Sequence, residues 1–261
     1  MPMDPAQTAT RARMPARHSP RTAGTAITAP MTRLARVLLL VLAAPLLGAP
    51  AERLPTPDAL SDAGWTKGAW SGIEPAVFEP LPDDGLRITA KGQGSFVWRA
   101  IDGGGDCLSW RWRVDAGPPP TPLDRRGGDD RAIMITVGFD GWPPEAGFVQ
   151  RTKHAVAQVV AGEHRLPRSM LVYVWGGTGR EARPFTSPYM HGFGEVFVLR
   201  PAQTETGRWF SEQVELSRDW RAAFRGTQVP PVLEIAIGTD VDDTGAQLDA
   251  RIDQIRFGPC R

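Results

Sequence analysis

The chain predicts an all-β fold: an antiparallel β-sandwich or jelly roll with one or two short helices. Some nine or ten short segments rich in Val, Ile, Phe and Trp recur between residues 65 and 257, each closed off by Gly, Pro or Asp. The sharpest of them, Cys107-Leu108-Ser109-Trp110-Arg111-Trp112-Arg113-Val114-Asp115, alternates with a period of two. A strand sends successive side chains to opposite faces, so Trp110, Trp112 and Val114 share a core face, and Ser109, Arg111 and Arg113 a cationic one. The strand–helix alternation of a parallel sheet is missing, and no repeat period is visible.

Residues 65–70 and 76–78 read as short strands, and 85–90 alternates clearly. Residues 95–101 place Phe96 and Trp98 on one face and Arg99 on the other. The turn Asp102-Gly103-Gly104-Gly105-Asp106 follows, so residues 96–114 are expected to form a hairpin. A Pro- and Gly-rich loop, 116–130, leads into a central strand at 131–139 with Ile133, Ile135, Val137 and Phe139 on one side. Residues 154–161 read as a short helix. Strands are expected at 170–175, 195–199 and 209–216, then a brief helix at 219–224 capped by Ser217 or Asp219. Strands at 232–237 and 251–257 close the chain.

The first 51 residues differ from the rest. Arg33 and Arg36 precede an apolar run from Val37 to Leu47, and Ala49-Pro50-Ala51 supplies a small-x-small cleavage site. Residues 31–51 therefore read as a secretory signal behind an Arg-rich extension, cleaved near Ala51, with export to the periplasm or the cell exterior. The run is shorter than the roughly 18–20 residues of a spanning helix, so no membrane span is expected in the mature chain. Residues 52–74 read as a lead-in, extended over 52–62, and 75–261 as a single sandwich domain. Residues 1–51 carry six arginines and one acid, which leaves 24 basic and 28 acidic side chains, a net charge of −4. Nucleic-acid binding, whose footprint is a basic domain, is not expected. The two cysteines, Cys107 and Cys260, invite a disulfide in an oxidising compartment, one that would fasten the last strand to the start of the Trp/Arg strand.

Four segments carry a family resemblance: Leu108-Ser109-Trp110-Arg111-Trp112-Arg113-Val114, Gly128-Asp129-Asp130-Arg131-Ala132, Tyr173-Val174-Trp175, and Ile237-Gly238-Thr239-Asp240-Val241-Asp242-Asp243-Thr244-Gly245. In this order they resemble a family of secreted bacterial proteins, domain of unknown function 3047 (DUF3047), over roughly residues 75–258. The resemblance implies a sandwich of galactose-binding-like or carbohydrate-module type and no particular activity. Where the family's pattern has Thr-Asp-x-Asp-Asn-Thr, this chain places Asp243 instead of Asn.

Three constellations are candidates for chemistry. Asp129 and Asp130 stand before one strand, and Asp240, Asp242 and Asp243 beyond another; oxygen-rich groups of this kind suit Ca²⁺. Asp240-x-Asp242-x-Thr244-Gly245 matches the first half of a calcium loop, but Arg251 occupies the twelfth position, which excludes an EF-hand and leaves a sandwich-type site of Asp240, Asp242 and Asp243. The Asp129/Asp130 and Asp240/Asp242 carboxylates are also candidates for the acid and base of a glycan hydrolase or lyase. Tyr173 and Trp175, the latter beside Gly176-Gly177, are the aromatic candidates for stacking on a sugar. Arg111 and Arg113 are either carboxylate forks toward a ligand or members of a ladder of ion pairs with Glu234, Asp253 or Asp115. Signatures of a serine nucleophile, a zinc protease or a phosphate loop are absent from the sequence.

The expected function is binding of a saccharide or cell-envelope glycan without catalysis, by Asp129, Asp130, Tyr173, Trp175, Asp240 and Asp242, with Arg111 or Arg113 where the arginine face meets them. A glycan-active enzyme on the same acids and a structural envelope protein with a calcium-stabilised loop are the alternatives.

Overall fold

The computed structural model describes residues 58–260. The expected signal segment, and the lead-in as far as residue 57, lie outside the described residues. The chain runs through α1 (Asp58–Asp62), β1 (Thr66–Ala69), β2 (Val77–Leu81), β3 (Gly85–Lys91), β4 (Gly94–Ala100), β5 (Cys107–Ala116), β6 (Arg131–Phe139) and α2 (Phe148–Ala161). It continues through β7 (Ser169–Gly176), β8 (Phe185–Thr186), β9 (Gly194–Arg200), β10 (Phe210–Glu215), α3 (Leu216–Phe224), β11 (Val232–Asp240) and β12 (Gln247–Gly258). The strands form a seven-stranded sheet, β1-β4-β11-β6-β7-β9-β8, and a five-stranded sheet, β10-β5-β12-β3-β2. All strand pairs are antiparallel except β7 with β9, which run parallel. The fold is an all-β sandwich. The segment at 58–62 is a short helix rather than extended, and β1 is the edge strand beside β4, with Trp65 buried ahead of it.

The Trp/Arg strand is β5, and its burial alternates as the period of two requires: Trp110, Trp112 and Val114 are buried, and Ser109, Arg111 and Arg113 stand partly open. Between the sheets the rings form a continuous column. Trp110 meets Tyr173 at 5.8 Å and Trp112 at 5.3 Å, and Trp112 meets Trp175 at 5.7 Å. Tilted and edge-to-face rings at these separations add roughly 0.5–1.5 kcal/mol per pair beyond the area they bury. On the outer face of the five-stranded sheet the arginines are paired: Arg111 with Asp253 at 2.8 Å, Arg113 with Asp115 at 2.5 Å, Arg87 with Asp249 at 2.9 Å, and Arg251 with Asp115. Two of the three expected ion-pair partners are therefore found. Glu234 is elsewhere, bonded to His164.

The expected hairpin of residues 96–114 does not form. β4 joins the seven-stranded sheet between β1 and β11, whereas β5 lies in the other sheet between β10 and β12. The glycine turn between them carries the chain across the sandwich. A Cβ at Gly105 would stand 2.2 Å from the carbonyl oxygen of Gly258, so this close approach requires glycine. Beside it, Cys107 and Cys260 form the expected disulfide, with Cα atoms 5.0 Å apart.

The seven-stranded sheet is covered on both faces. β6 is buried from Ala132 to Phe139, with Ile133, Ile135, Val137 and Phe139 in the main core. Its other face, with Met134, lies under a second cluster of Leu123, Val172, Val174, Phe185, Val196 and Val198. Leu123 belongs to the 116–130 loop, which thus packs over this outer face, and Phe185 to the edge strand β8. The helix α2 starts six residues earlier than the sequence suggests and has no buried residue. Its polar side holds it to the body through Arg151 on the Ala146 carbonyl, His154 on Pro167 and Gln158 on His164, leaving Phe148, Val149, Val156 and Val159 exposed. The cap of α3 also departs from expectation: Asp106, from the glycine turn, accepts the N–H and hydroxyl of Ser217 at 3.0 and 2.8 Å.

Candidate functional site

The antiparallel pairing of β6 with β11 sets Arg131 opposite Asp240, so the start of one strand and the end of the other reach the same end of the sheet. This brings Asp129 and Asp130 together with Asp240, Asp242 and Asp243, as the sequence suggests. Asp130 is 1% exposed and receives three hydrogen bonds from the loop after β11: Asp243 N–H at 3.2 Å, Thr244 N–H at 2.9 Å and the Thr244 hydroxyl at 2.5 Å. The loop is thus built around a buried carboxylate. One carboxylate oxygen each of Asp130, Asp240 and Asp242 lie within 4.8 Å of one another, which is the spacing of oxygen ligands around a hard divalent cation.

Arg131 balances part of this charge. Its guanidinium donates to the Asp129 carboxylate at 2.9 Å and approaches the nearer oxygen of Asp240 at 3.4 Å. Burial, with Asp242 and Asp129 adding to it, pushes the Asp240 carboxyl up to about 8 against the pull of Arg131. Burial and the neighbouring acids also raise Asp243. A carboxyl this far above its ordinary value beside other acids is the charge pattern of a glycosidase acid and base. The geometry opposes that use: Asp240 is 5% exposed, and both oxygens of Asp130 are engaged by the loop.

Two aromatic residues flank the acids, and sequence reasoning passed over both. Tyr189, in the loop before β9, is 43% exposed; its hydroxyl accepts the Gly127 N–H at 2.8 Å, and the Arg126 guanidinium lies 5.2 Å from its ring centre. Arg126 also donates to the Pro188 carbonyl at 3.0 Å, which locks the two loops together next to Asp129. Trp70, half-buried, lies 5.6 Å under the Arg131 guanidinium. A lone Tyr in a Pro-containing loop and a Trp at the end of an edge strand have no periodicity to mark them. Only strand pairing brings them near Asp129 and Asp240.

The other candidates lie away from this end or face inward. Tyr173 and Trp175 are 0% and 1% exposed, so the expectation that they stack on a ligand is corrected. Tyr173 donates its hydroxyl to Asp219 of α3 at 3.1 Å, and Trp175 packs edge-on against Trp112 and Phe210. Their strand, β7, is interior to a sheet covered on both faces, so its aromatic side chains become core. A recess of about 50 Å³ borders Trp175, room for a water or two rather than a sugar ring. Arg111 and Arg113 belong to the other sheet and are held by Asp253 and Asp115, so they do not join the acids.

A model of the family described as a protein of unknown function, DUF3047, matches residues 64–256. The chain belongs to the DUF3047 family. The match takes in Trp65, ahead of β1, and runs into β12, stopping two residues short of the end of that strand. Among curated proteins none matches the sequence. Of solved structures, the DUF3047 chain is similar to the xyloglucanase domain of NopAA, a type three effector from Sinorhizobium fredii, at 7% identity and a TM-score of 0.42, covering 81% of this chain and 99% of that one. It is also similar to a thermostable cellulase derived from the Cel12A cellulase of Rhodothermus marinus, at 11% identity and a TM-score of 0.41, covering 77% and 94%. A mannan-recognising carbohydrate-binding module, TmCBM27, is similar at 14% identity and a TM-score of 0.26, covering 80% and 95%. At these identities and scores no ligand or activity passes from those proteins to this one.

Proposed function

We propose that this protein is an exported sandwich that binds a saccharide or cell-envelope glycan, without turning it over, at the acidic end formed by β6, β11 and the Tyr189 loop. The observation that carries the reading is the exposed Tyr189 ring beside Asp129 and Asp243. A sugar presents a flat patch of C–H groups to a ring and hydroxyl donors to carboxylates, and this end offers both within one surface. With Asp130 and Asp240 buried, the carboxylates left open, Asp129, Asp242 and Asp243, against Arg126 and Arg131 favour a neutral or amine-bearing sugar over an acidic one. Export is supported by the Cys107–Cys260 disulfide, since such bonds persist in oxidising compartments. Among the described residues, no helix is long and apolar enough to cross a membrane.

A glycan array probed with the purified protein tests the reading. Binding to neutral or amine-bearing glycans is expected, weakened about tenfold, roughly 1.4 kcal/mol, in Tyr189→Ala. Absence of any glycan ligand, or equal binding by Tyr189→Ala, overturns it. Hydrolysis or lysis of a labelled polysaccharide that is lost in Asp240→Asn would replace it with the enzymatic reading.

A further inference from the structure

We propose that Asp130, Asp240 and Asp242 form a binding site for one hard divalent cation, Ca²⁺ by preference, that joins the end of β11 to the start of β6. The inference goes beyond saccharide binding and does not rest on it. Acidic groups crowd many protein surfaces without a cation, so the convergence of the three carboxylates is not sufficient alone. The second observation is Asp240 itself. Its side chain is more than nine-tenths buried, and its Oδ1 has no hydrogen-bond partner among the described residues. A buried carboxylate oxygen without a partner destabilises the fold unless something satisfies it. Asp240 is also one of the three residues whose carboxylate oxygens gather within 4.8 Å, so the unpartnered atom sits on a carboxylate already in the group.

The surroundings favour a cation over a donor from the protein. Arg131, the nearest guanidinium, directs its shorter contacts to Asp129, at 2.6 Å to the carbonyl and 2.9 Å to the carboxylate, and stands 3.4 Å from the other oxygen of Asp240. A side chain at Gly94 would put its Cβ 2.4 Å from Oδ1, so that glycine leaves room around the atom. Asp130 is held rigidly by the 243–244 backbone and Asp242 is exposed, which gives one fixed, one buried and one solvent-facing ligand. Oxygen-only donors and room for water suit Ca²⁺, which takes six to eight oxygens at variable geometry, better than Mg²⁺ or zinc.

Terbium, a calcium substitute whose luminescence is sensitised by nearby Trp or Tyr, provides the direct test, with Trp70 and Tyr189 as the flanking rings. The full chain, stripped with EDTA, is expected to show saturable terbium luminescence displaced by Ca²⁺ and far less readily by Mg²⁺. Its Tm is expected to rise by roughly 5–10 °C at Ca²⁺ a hundredfold above Kd. Asp242→Asn, at an exposed position, is expected to weaken Ca²⁺ at least tenfold while keeping the parent's Tm in EDTA, and Asp240→Asn to abolish the Ca²⁺-dependent rise. Asp102→Asn, in the distant glycine turn, should behave as the parent. The proposal is overturned by the absence of saturable terbium binding, by a Tm indifferent to Ca²⁺ and EDTA, or by parent-like Ca²⁺ affinity in both Asp242→Asn and Asp240→Asn.

Discussion

Asp130 shows how one side chain can define a loop. Its three accepted hydrogen bonds hold residues 243 and 244, so Asp130→Ala leaves those donors facing an apolar methyl. A loss of about 2–3 kcal/mol is expected in urea unfolding without divalent cations, whereas Asp124→Ala, exposed in the preceding loop, should change little. Glu195 is a second buried acid, 8% exposed and bonded to the Thr186 hydroxyl at 2.7 Å. Burial raises its carboxyl above the ordinary value, with the Thr186 bond opposing. A raised folded value means the contribution to stability is full below the unfolded value of 4.5 and is lost as pH rises through the folded one. The Tm of the parent should therefore carry a downward component with rising pH that Glu195→Gln removes; identical pH profiles would refute the assignment. At this scale the acids were legible because they lie in compact motifs. Tyr189 and Trp70 were not, because a single aromatic in a loop looks the same in sequence whether it faces a site or bulk solvent.

Among the elements, β5 and α2 are opposites. In β5 the period of two reads directly as burial, because one face meets the other sheet and one meets solvent. Truncating it there, as in Trp112→Ala, is expected to cost about 3–5 kcal/mol, since the ring stands in the aromatic column. In α2 the apolar stripe faces outward and the polar side holds the body, so an amphipathic pattern misleads about which face is inside. Val159, 82% exposed, should tolerate Val159→Ser within about 0.5 kcal/mol, a difference that thermal melts of the two variants would measure. The strand β7 misled for a related reason. Its end beside Gly176-Gly177 looked open, but Trp175 points between the sheets onto Trp112 and Phe210, while Leu123 covers the opposite face at Val172 and Val174. Local patterns state which residues are apolar; they do not state which loops will cover a sheet.

For the molecule as a whole, the sandwich class followed from the frequency of short strands, and the two motifs Gly128-Asp129-Asp130-Arg131 and Asp240-Val241-Asp242 were already suggestive of one site. What could not be read was the assignment of strands to sheets. A glycine turn signals reversal equally well within a sheet and between sheets, and here it crosses from β4 to β5. The disulfide is the exception, legible from the count of two cysteines alone. Removing it in Cys107→Ser is expected to lower stability by about 2–5 kcal/mol, and dithiothreitol should shift the parent's unfolding to match; a reductant-insensitive melt would contradict this.

The same bond decides how the molecule carries a mechanical load. Cys260 is joined to Cys107, 153 residues earlier in the chain, so tension applied at the C-terminus passes to the start of β5 and bypasses everything from there to β12. Stretched from its ends, the oxidised sandwich can release only the part ahead of Cys107. For the described residues that is about 50 positions, or roughly 170 Å of contour at 3.4 Å each. The acids of β6, β11 and the loops beyond them lie within the covalent loop, whereas Trp70 and Gly94, which pack beside them, lie in the part that the pull releases.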